Sequence, residues 1–387
     1  MAAPFANHQN EIYFRGAGGE RPPFTTDLGG LEDAAREKLD PQAFGYVAGS
    51  AGTGSTARAN RAAFERWRIV PRMLRDVRER DLSTTVLGTP MPAPVLLAPV
   101  GVQTIVHPDG ELASARAATA TGLVFVHSTA AAHSIEQVAG ASGDGSRWYQ
   151  LYWPDDRAVA ASLVGRAEAA GYSALIVTLD TFMMGWRPTD LDTAYLPFLQ
   201  GIGIANYLTD PAFNAPLPPD AQDFDKVFRW AGMFGNPSLT WADLAWLREQ
   251  TALPIVLKGV LHPEDARAAL DAGVDGLVVS NHGGRQVDGA IAALDALPAV
   301  LDAVGGQMPV LVDSGVRTGA DVIKAVALGA AAVLYGRPYI YGLGLGGQAG
   351  VEHVLRCLLG ETDVTLALSG RRSLAELGPD VLSASPA

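Results

Sequence analysis

The chain has 387 residues, 48% of them hydrophobic and 18% charged, which predicts a globular protein with a large core and excludes disorder except at the ends. A net charge of −12 without a basic run argues against nucleic acid and anionic membranes as partners, and the single cysteine, Cys357, excludes an intrachain disulfide framework. Because no apolar run could span a membrane and residues 1–30 lack a basic start followed by an apolar core, we expect a cytoplasmic location.

The first 50 residues carry three different patterns. Residues 1–26 are polar and rich in Gly and Pro, which predicts an N-terminal arm that either drapes over a neighbour or stays mobile. Apolar residues at three- and four-residue spacing predict a helix over Asp27–Tyr46, interrupted at Pro41. The segment Gly45–Gly52 is predicted to be a turn-rich loop that carries the hydroxyl of Tyr46.

From about residue 94, strand-like apolar runs alternate with helical patterns almost to the end of the chain. Eight such units indicate an α/β fold, a closed (β/α)8 TIM barrel of parallel strands surrounded by helices. An open doubly wound sheet is the alternative, but no Gly-x-Gly-x-x-Gly turn follows the first strand. The predicted strands are Pro94–Pro99, Leu123–Val126, Trp148–Tyr152, Ala174–Thr178, Pro254–Lys258, Gly276–Ser280, Pro309–Asp313 and Ala332–Gly336. The clearest helices are Gly110–Thr121, Asp156–Ala170, Pro263–Ala272, Gly319–Leu328 and Gly347–Leu359.

The alternation fails between Asp180 and Thr240, in a segment rich in Pro, Gly and aromatic residues. A long insertion at the catalytic face of a barrel is usually a lid or an oligomer contact, and we expect a lid insertion at about 181–240. The predicted domains are therefore the arm 1–26, a single barrel domain 27–377 and a C-terminal tail 378–387.

The stretch Ser280–Gln286 places an imidazole and a guanidinium three residues apart, just beyond a buried strand. His282 is predicted to lie at the carboxyl end of that strand, where α/β folds place their chemistry. Arg285 offers a planar fork for a carboxylate, and Arg187 at the start of the lid could hold the same group from the other side. A base beside a carboxylate clamp suits a 2-hydroxy acid.

Polar residues at the strand ends predict a cofactor. Each buried polar group without a partner costs about 1–3 kcal/mol, so several at one face suggest a flat polar ligand across the barrel mouth. Barrels bind phosphate with the loops after strands seven and eight, where this chain has an arginine and a glycine in each loop. The strand-end residues are Gln150, Tyr152, Thr178, Lys258 and Asp313, and the phosphate candidates are Gly315, Arg317, Gly336 and Arg337.

Lys258 has two possible roles. It could form a Schiff base, as strand-end lysines in barrels sometimes do, or it could place a fixed positive charge beside a cofactor ring. The sequence alone leaves both open.

These motifs together resemble a known family. Ser280–Arg285, Asp313–Asp321 and Gly336–Pro338 closely resemble the signature of the FMN-dependent 2-hydroxy acid oxidases and dehydrogenases, and the resemblance covers roughly residues 10–377. Within that family the chain is most similar to the lactate 2-monooxygenase branch. The segments that carry this second resemblance are Asn10–Tyr13, Pro71–Leu74, Gly185–Pro188 and Asn206–Pro211.

The resemblance implies a role for each matching residue. His282 would be the catalytic base, Asp180 would orient it, and Lys258 would support the reduced flavin near its N1 edge. The implied substrate-binding residues are Tyr46, Tyr152, Arg187 and Arg285. The implied FMN-binding residues are Pro99, Val100, Gly101, Ser128, Gln150, Thr178, Lys258, Ser280, Asp313, Gly315, Arg317, Gly336 and Arg337. No metal ligand is predicted.

The expected reaction is oxidation of a small L-2-hydroxy acid, similar to lactate, with O2. In the lactate 2-monooxygenase type, H2O2 formed from O2 attacks the retained 2-oxo acid, and the products are a shorter acid, CO2 and water. The alternatives are a simple oxidase that releases 2-oxo acid and H2O2, or a Schiff-base lyase that uses Lys258. The resemblance also implies a homo-oligomer, a tetramer or an octamer.

Overall fold

The computed structural model describes residues 4–384 and begins with four helices. The predicted helix Asp27–Tyr46 is two helices, because Asp40 caps the second one by accepting hydrogen bonds from Gln42 N at 2.9 Å and Ala43 N at 3.2 Å. The prediction of a loop over Gly45–Gly52 is wrong for its first four residues, which form the last turn of that helix. The four helices are α1 (Asn7–Ala17), α2 (Leu31–Lys38), α3 (Pro41–Ala48) and α4 (Ser55–Glu65).

Eight parallel strands form the closed barrel that the alternation predicted. Every predicted strand is present, with bounds within two residues of those expected from the apolar runs. The strands are β1 (Val95–Leu97), β2 (Val124–Ser128), β3 (Arg147–Leu151), β4 (Leu175–Thr178), β5 (Ile255–Val260), β6 (Gly276–Val279), β7 (Val310–Val312) and β8 (Ala332–Tyr335). The barrel closes where β8 pairs with β1.

Buried side chains fill the barrel interior, and a short antiparallel ribbon covers its amino end. Leu96, Val126 and Ile176 belong to one buried cluster that also contains Met91 of the ribbon Thr84–Val86 and Thr89–Met91. This arrangement closes one end of the barrel with apolar packing, so the ligand-binding end is the opposite one, where the strands finish.

Helices surround the strands as predicted. Helices Gly110–Thr121, Asp156–Ala170, Pro263–Ala272 and Gly319–Leu328 form within one residue of the expected bounds. The predicted helix Gly347–Leu359 is part of a much longer helix, Arg337–Leu368, which has a break at Gly347, where φ is +58°. The helices that follow β1 are α5 (Gly110–Thr121), α6 (Ile135–Ser142), α7 (Arg157–Ala169), α8 (Pro188–Asp192), α9 (Ala205–Leu208), α10 (Pro211–Asn214), α11 (Asp223–Met233), α12 (Asp243–Glu249), α13 (Pro263–Asp271), α14 (Ala293–Val304), α15 (Gly319–Ala327) and α16 (Arg337–Leu368).

The insertion between β4 and β5 consists of short helices joined by turns, from α8 to α12. The strand Trp67–Ile69 pairs with the strand Leu382–Ala384. The Ala6 N–H donates to Asp363 Oδ2 of α16 at 2.8 Å. Among residues 4–384 no helix is both long and apolar enough to cross a bilayer. The cytoplasmic location stays a prediction.

Candidate active site

A cavity of about 1130 Å³, including its open mouth, lies at the carboxyl ends of the strands. This volume accommodates a cofactor-sized ligand. Most of the predicted site residues line it: Tyr46, Pro99, Val100, Gly101, Tyr152, Arg187, Lys258, His282, Arg285, Asp313, Gly315, Arg317, Gly336 and Arg337. Five other predicted residues do not line this cavity: Ser128, Gln150, Thr178, Asp180 and Ser280.

His282 and Asp180 form a hydrogen-bonded pair at this mouth. His282 Nδ1 lies 2.8 Å from Asp180 Oδ1, and the Thr181 hydroxyl lies 3.2 Å from the same nitrogen. Because an ionised carboxylate only accepts hydrogen bonds, Nδ1 carries the proton and Nε2 presents its lone pair. Tyr152 Oη lies 3.5 Å from Nε2. The imidazole is therefore oriented to accept a proton at Nε2.

The protonation states of the pair follow from burial and charge. Burial lowers the pKa of His282 below its usual 6.5, although the charge of Asp180 acts in the opposite direction. Burial would raise the pKa of Asp180, but the charges of His282 and Lys258 outweigh it and lower that pKa to about 2. At neutral pH the site thus holds a neutral base beside an ionised carboxylate, which can stabilise the imidazolium that forms after proton transfer.

The backbone at His282 is held in an uncommon conformation. Its φ is +59°, a value that non-glycine residues seldom adopt and that costs of order 1–3 kcal/mol. Two hydroxyls fix this turn, since the His282 N–H donates to Ser280 Oγ at 3.0 Å and the Gly283 N–H donates to Ser314 Oγ at 2.9 Å. Gly284 is also required, because a Cβ there would lie 2.6 Å from the backbone nitrogen of Ala57.

Two arginines face the cavity near His282. Arg187 donates from Nη2 to Gln286 Oε1 at 2.7 Å, and its Nη1 lies 3.8 Å from Asp190. Arg285 donates from Nη1 to the carbonyl oxygens of Tyr46 and Gly49, at 2.7 and 2.8 Å, and its Cζ lies 5.1 Å from the centre of the Tyr46 ring. These contacts fix the two guanidinium groups. Nη2 of Arg285 and Nη1 of Arg187 can still donate hydrogen bonds to a ligand.

The cavity has more positive charge than its own carboxylates balance. The salt bridges at its wall are Lys258–Asp313, His282–Asp180 and the long Arg187–Asp190 contact. Among residues 4–384 no carboxylate lies within salt-bridge distance of the three other cavity arginines, which are Arg285, Arg317 and Arg337. Burial, together with the charge of Arg187, lowers the pKa of Arg285 to about 9. Such a set of cations suits anionic ligands.

The predicted phosphate position has the donors that a phosphate needs. Arg317 lines the cavity, and among the described residues its guanidinium donates only to the neighbouring Val316 carbonyl, at 3.0 Å. Gly336 directly precedes α16, so the positive amino end of this helix, with Arg337 as its first residue, lies at the cavity. Arg337 uses part of its hydrogen-bonding capacity within the protein, because it donates to the carbonyls of Val47, Gly49 and Gly283. The residues present therefore fit a phosphate-bearing cofactor.

Lys258 is a buried cation rather than a free amine. Its Nζ lies 2.9 Å from Ser280 Oγ and 3.2 Å from Asp313 Oδ2. Burial alone would lower its pKa, but the charges of Asp313 and Asp180 raise the pKa above the usual 10.5. A β-bulge at Gly259, where φ is +112°, ends the regular pairing just beyond it. A nucleophilic lysine needs a lowered pKa, so these contacts favour the fixed-charge role.

Three of the predicted cofactor residues bond to one another. Ser128 Oγ donates to Gln150 Oε1 at 2.8 Å, and Gln150 Nε2 donates to Thr178 Oγ1 at 2.9 Å. All three are buried. These two hydrogen bonds link β2, β3 and β4 and fix the amide of Gln150.

Sequence reasoning missed Gln286, Thr181 and Asp190. Gln286 joins the lid to the barrel, since its Nε2 donates to the carbonyls of Asp180 and Met183, at 2.6 and 2.8 Å, while its Oε1 accepts from Arg187. Burial raises the pKa of Asp190, which lies between Arg187 and α3. A usable signal existed, because Gln286 and Thr181 directly follow predicted site residues and Asp190 lies three residues beyond Arg187.

The insertion covers the same cavity. Met184, Phe198 and Phe234 come from residues 181–240 and line it. Phe234 packs on Tyr152 with ring centres 5.2 Å apart, and Phe198 packs on Trp230 at 4.7 Å. An apolar wall of this kind limits the access of water to the face where His282 and Tyr152 lie.

Known proteins resemble this chain over most of its length. The family described as FMN-dependent dehydrogenase matches residues 35–384. An L-lactate oxidase from Lysinibacillus sphaericus (strain C3-41) is 46% identical over 358 residues, which cover 92% of each chain. An FMN-dependent alpha-hydroxy acid dehydrogenase, qulF, from Penicillium citrinum is 45% identical over 384 residues, 98% of this chain and 96% of that protein.

Solved structures agree with the fold. A crystal structure of mandelate oxidase superposes with a TM-score of 0.82 at 40% sequence identity, covering 93% of this chain and 98% of that one. The similarity thus extends across the barrel and the insertion rather than to isolated motifs.

Proposed function

The chain belongs to the FMN-dependent dehydrogenase family, which oxidises 2-hydroxy acids, and we propose that its own substrate is a small L-2-hydroxy acid such as L-lactate. The observation that carries this proposal is the pairing of His282 with Asp180 in one cavity with Arg187 and Arg285. The similarity to an L-lactate oxidase at 46% identity supports the choice of lactate as the first substrate to test.

FMN would be held by the residues that the resemblance implies. Its phosphate suits Arg317, Arg337, the Gly315 loop and the start of α16, where neither arginine forms a salt bridge within residues 4–384. Its ring suits the wall Pro99–Gly101 and Gln150, with Lys258 as a fixed positive charge. When bound, FMN supplies the acceptor for the two electrons that leave the substrate carbon and passes them to O2.

We infer the following roles for the side chains of this chain. Arg187 and Arg285 bind the substrate carboxylate from two sides, and the hydroxyls of Tyr46 and Tyr152 assist them. This placement brings the C2 group of the substrate near His282 Nε2, which removes a proton. Asp180 orients the imidazole through Nδ1 and stabilises the imidazolium that results.

A lactate 2-monooxygenase outcome is the finer proposal. H2O2 that stays in the cavity with the 2-oxo acid can attack its keto carbon, which gives a shorter acid, CO2 and water. The lid residues Met184, Phe198 and Phe234 favour this outcome because they cover the cavity and would slow product release. If the 2-oxo acid leaves first, the same chain is a simple oxidase.

Two measurements test the proposal. Anaerobic bleaching of the flavin across a panel of 2-hydroxy acids identifies the substrate, and an absence of bleaching with every L-2-hydroxy acid would reject the function. With an active substrate, product analysis in air then separates the two outcomes. Lactate should give acetate and CO2, whereas pyruvate with stoichiometric H2O2 would reject the monooxygenase proposal.

We also propose a homo-oligomer, a tetramer or an octamer, in a cytoplasmic location. Exposed apolar residues of the lid, such as Phe182, Met183 and Trp186, offer contact surface for a second copy. Sedimentation velocity of the flavin-bound protein tests this, and a monomer at micromolar concentration would contradict it.

A further inference from the structure

Three metal-ligand side chains meet far from the active-site cavity, where α1 contacts α16. His8 lies on α1, while His353 and Cys357 lie four residues apart on one face of α16. One ligand atom from each residue lies within 4.8 Å of the other two. We propose that this group, the arm cluster, binds one Zn2+ ion and thereby fixes the N-terminal helix to the last helix of the barrel.

The distances within the arm cluster suit tetrahedral zinc. Cys357 Sγ lies 3.5 Å from His353 Nε2 and 3.9 Å from His8 Nε2. With Zn–S of about 2.3 Å and Zn–N of about 2.0–2.1 Å, tetrahedral angles place sulfur and nitrogen about 3.6 Å apart. Zn2+ therefore fits between the three atoms after shifts of a few tenths of an ångström. A thiolate and two imidazoles also favour Zn2+ over Mg2+ or Ca2+, which prefer oxygen ligands.

The surroundings of the cluster support a structural site. Cys357 and His353 are each 9% exposed, and the Phe24 ring covers His353 with centres 5.6 Å apart. His8 Nδ1 has no hydrogen-bond partner among residues 4–384, but Glu11 Oε2 lies 3.5 Å from it. A carboxylate on the far nitrogen of a ligating histidine is a common support, because it keeps the proton on Nδ1 and leaves Nε2 for the metal.

One contact competes with the metal. His353 Nε2 donates to the Thr25 carbonyl oxygen at 2.9 Å, and zinc binding would replace this hydrogen bond with a bond to the ion. Water or the Thr25 carbonyl then completes the coordination. The ion would thus join α1 to α16, and it would also hold the segment at Phe24–Thr25 when the Thr25 carbonyl is the fourth ligand.

The arm cluster could not be predicted from spacing alone. His353 and Cys357 form a recognisable pair on a helix, but two ligands do not define a site, and His8 lies 345 residues earlier in the chain. Only the packing of α1 on α16 brings the third ligand to them.

The test uses the flavin-bound enzyme and the metals alone. Chelator-treated protein is dialysed against micromolar Zn2+ and analysed by mass spectrometry for metal, and Co2+ is then used as a spectroscopic probe of tetrahedral thiolate coordination. We expect one Zn2+ per chain and an intense visible Co2+ spectrum in the wild type. Both signals should be lost in His8→Gln and in Cys357→Ser but kept in His262→Gln, which alters an exposed histidine outside the cluster.

Hydrogen exchange measures the structural consequence. Zn2+ should slow amide exchange in residues 7–17 by about tenfold or more in the wild type and have no effect in Cys357→Ser. Failure of the wild type to retain zinc, or retention of as much zinc by both cluster variants as by the wild type, overturns the proposal. If Cys357→Ser loses zinc while His8→Gln retains it fully, the proposed zinc link between α1 and α16 is wrong. Flavin absorption is recorded throughout, so a variant that fails to fold is recognised, and Cys357→Ala then replaces Cys357→Ser.

Discussion

Arg285 and Arg337 donate to the same acceptor, the carbonyl oxygen of Gly49, each at 2.8 Å. Gly49 follows the last residue of α3, so the two guanidinium groups cap the carboxyl end of this helix and hold Tyr46 at the cavity. Among residues 4–384 neither of these two cations has a carboxylate within salt-bridge distance. We infer that the substrate carboxylate and the FMN phosphate supply it.

The first prediction concerns the clamp. Arg285→Lys should raise KM for lactate by about 10- to 100-fold with a smaller change in kcat, because a single charge-assisted hydrogen bond is worth about 1.5–3 kcal/mol and lysine cannot form the bidentate fork. Steady-state kinetics measures this change. The matched control is Arg36→Lys on the exposed face of α2, which should leave KM unaltered. An unchanged KM in Arg285→Lys would place the carboxylate elsewhere.

The second prediction concerns the base. His282→Ala should keep the yellow flavin, since His282 is not among the residues that we propose to hold FMN, yet reduction by substrate should slow by at least about 100-fold. Anaerobic stopped-flow absorbance measures the rate. A colourless protein would argue for a structural role, and a normal rate would exclude His282 as the base.

The third prediction concerns pH. The pKa of His282 lies below 6.5, so kcat/KM should be constant above neutrality and fall as pH drops through that pKa, because the protonated imidazole cannot accept a proton. In Asp180→Asn the negative charge that raises the pKa of His282 is lost, so the acidic limb of kcat/KM should move to lower pH. The plateau value of kcat/KM should fall by about 10²- to 10⁴-fold. Asp192→Asn, an exposed lid variant, is the control. A limb that moves to higher pH would contradict the proposed role of Asp180.

The strands and most of the helices could be predicted from local spacing, and the cavity side chains from the strand-end motifs together with the family resemblance. Apolar runs located every strand, and the motif after β6 located His282 and Arg285. The roles of Ser128, Gln150 and Thr178 could not be predicted in the same way. A polar residue at a strand end needs a partner, but the sequence does not tell whether a ligand or the adjacent strand supplies it, and here the three side chains bond to one another.

Another local error came at Gly45–Gly52, for a similar reason. Three glycines favoured a loop, yet Gly45–Ala48 is helical because two distant arginines bond the carbonyls at its end. Arg285 and Arg337 lie about 240 and 290 residues further along the chain, so no local pattern records this capping.

The fourth prediction concerns Lys258. Its removal would leave the buried carboxylate of Asp313 without its cation, so Lys258→Met should lower the free energy of unfolding by about 3–5 kcal/mol, and Lys258→Arg by much less. Urea unfolding of the flavin-bound protein measures this difference. Borohydride treatment with substrate should leave Lys258 unmodified. A trapped adduct on this residue would instead favour the Schiff-base lyase.

The last prediction concerns the lid and the fate of the product. Phe234 contacts Tyr152 across the cavity, whereas Phe228, six residues earlier on α11, is 72% exposed. Phe234→Ala should open the cavity on the side of His282, so that more 2-oxo acid leaves before H2O2 reacts with it. The ratio of pyruvate to acetate should therefore rise, while anaerobic reduction of the flavin changes less. Phe228→Ala removes the same ring from the surface and should keep the wild-type ratio. Equal ratios in the two variants would show that retention of the product does not depend on this wall of the lid.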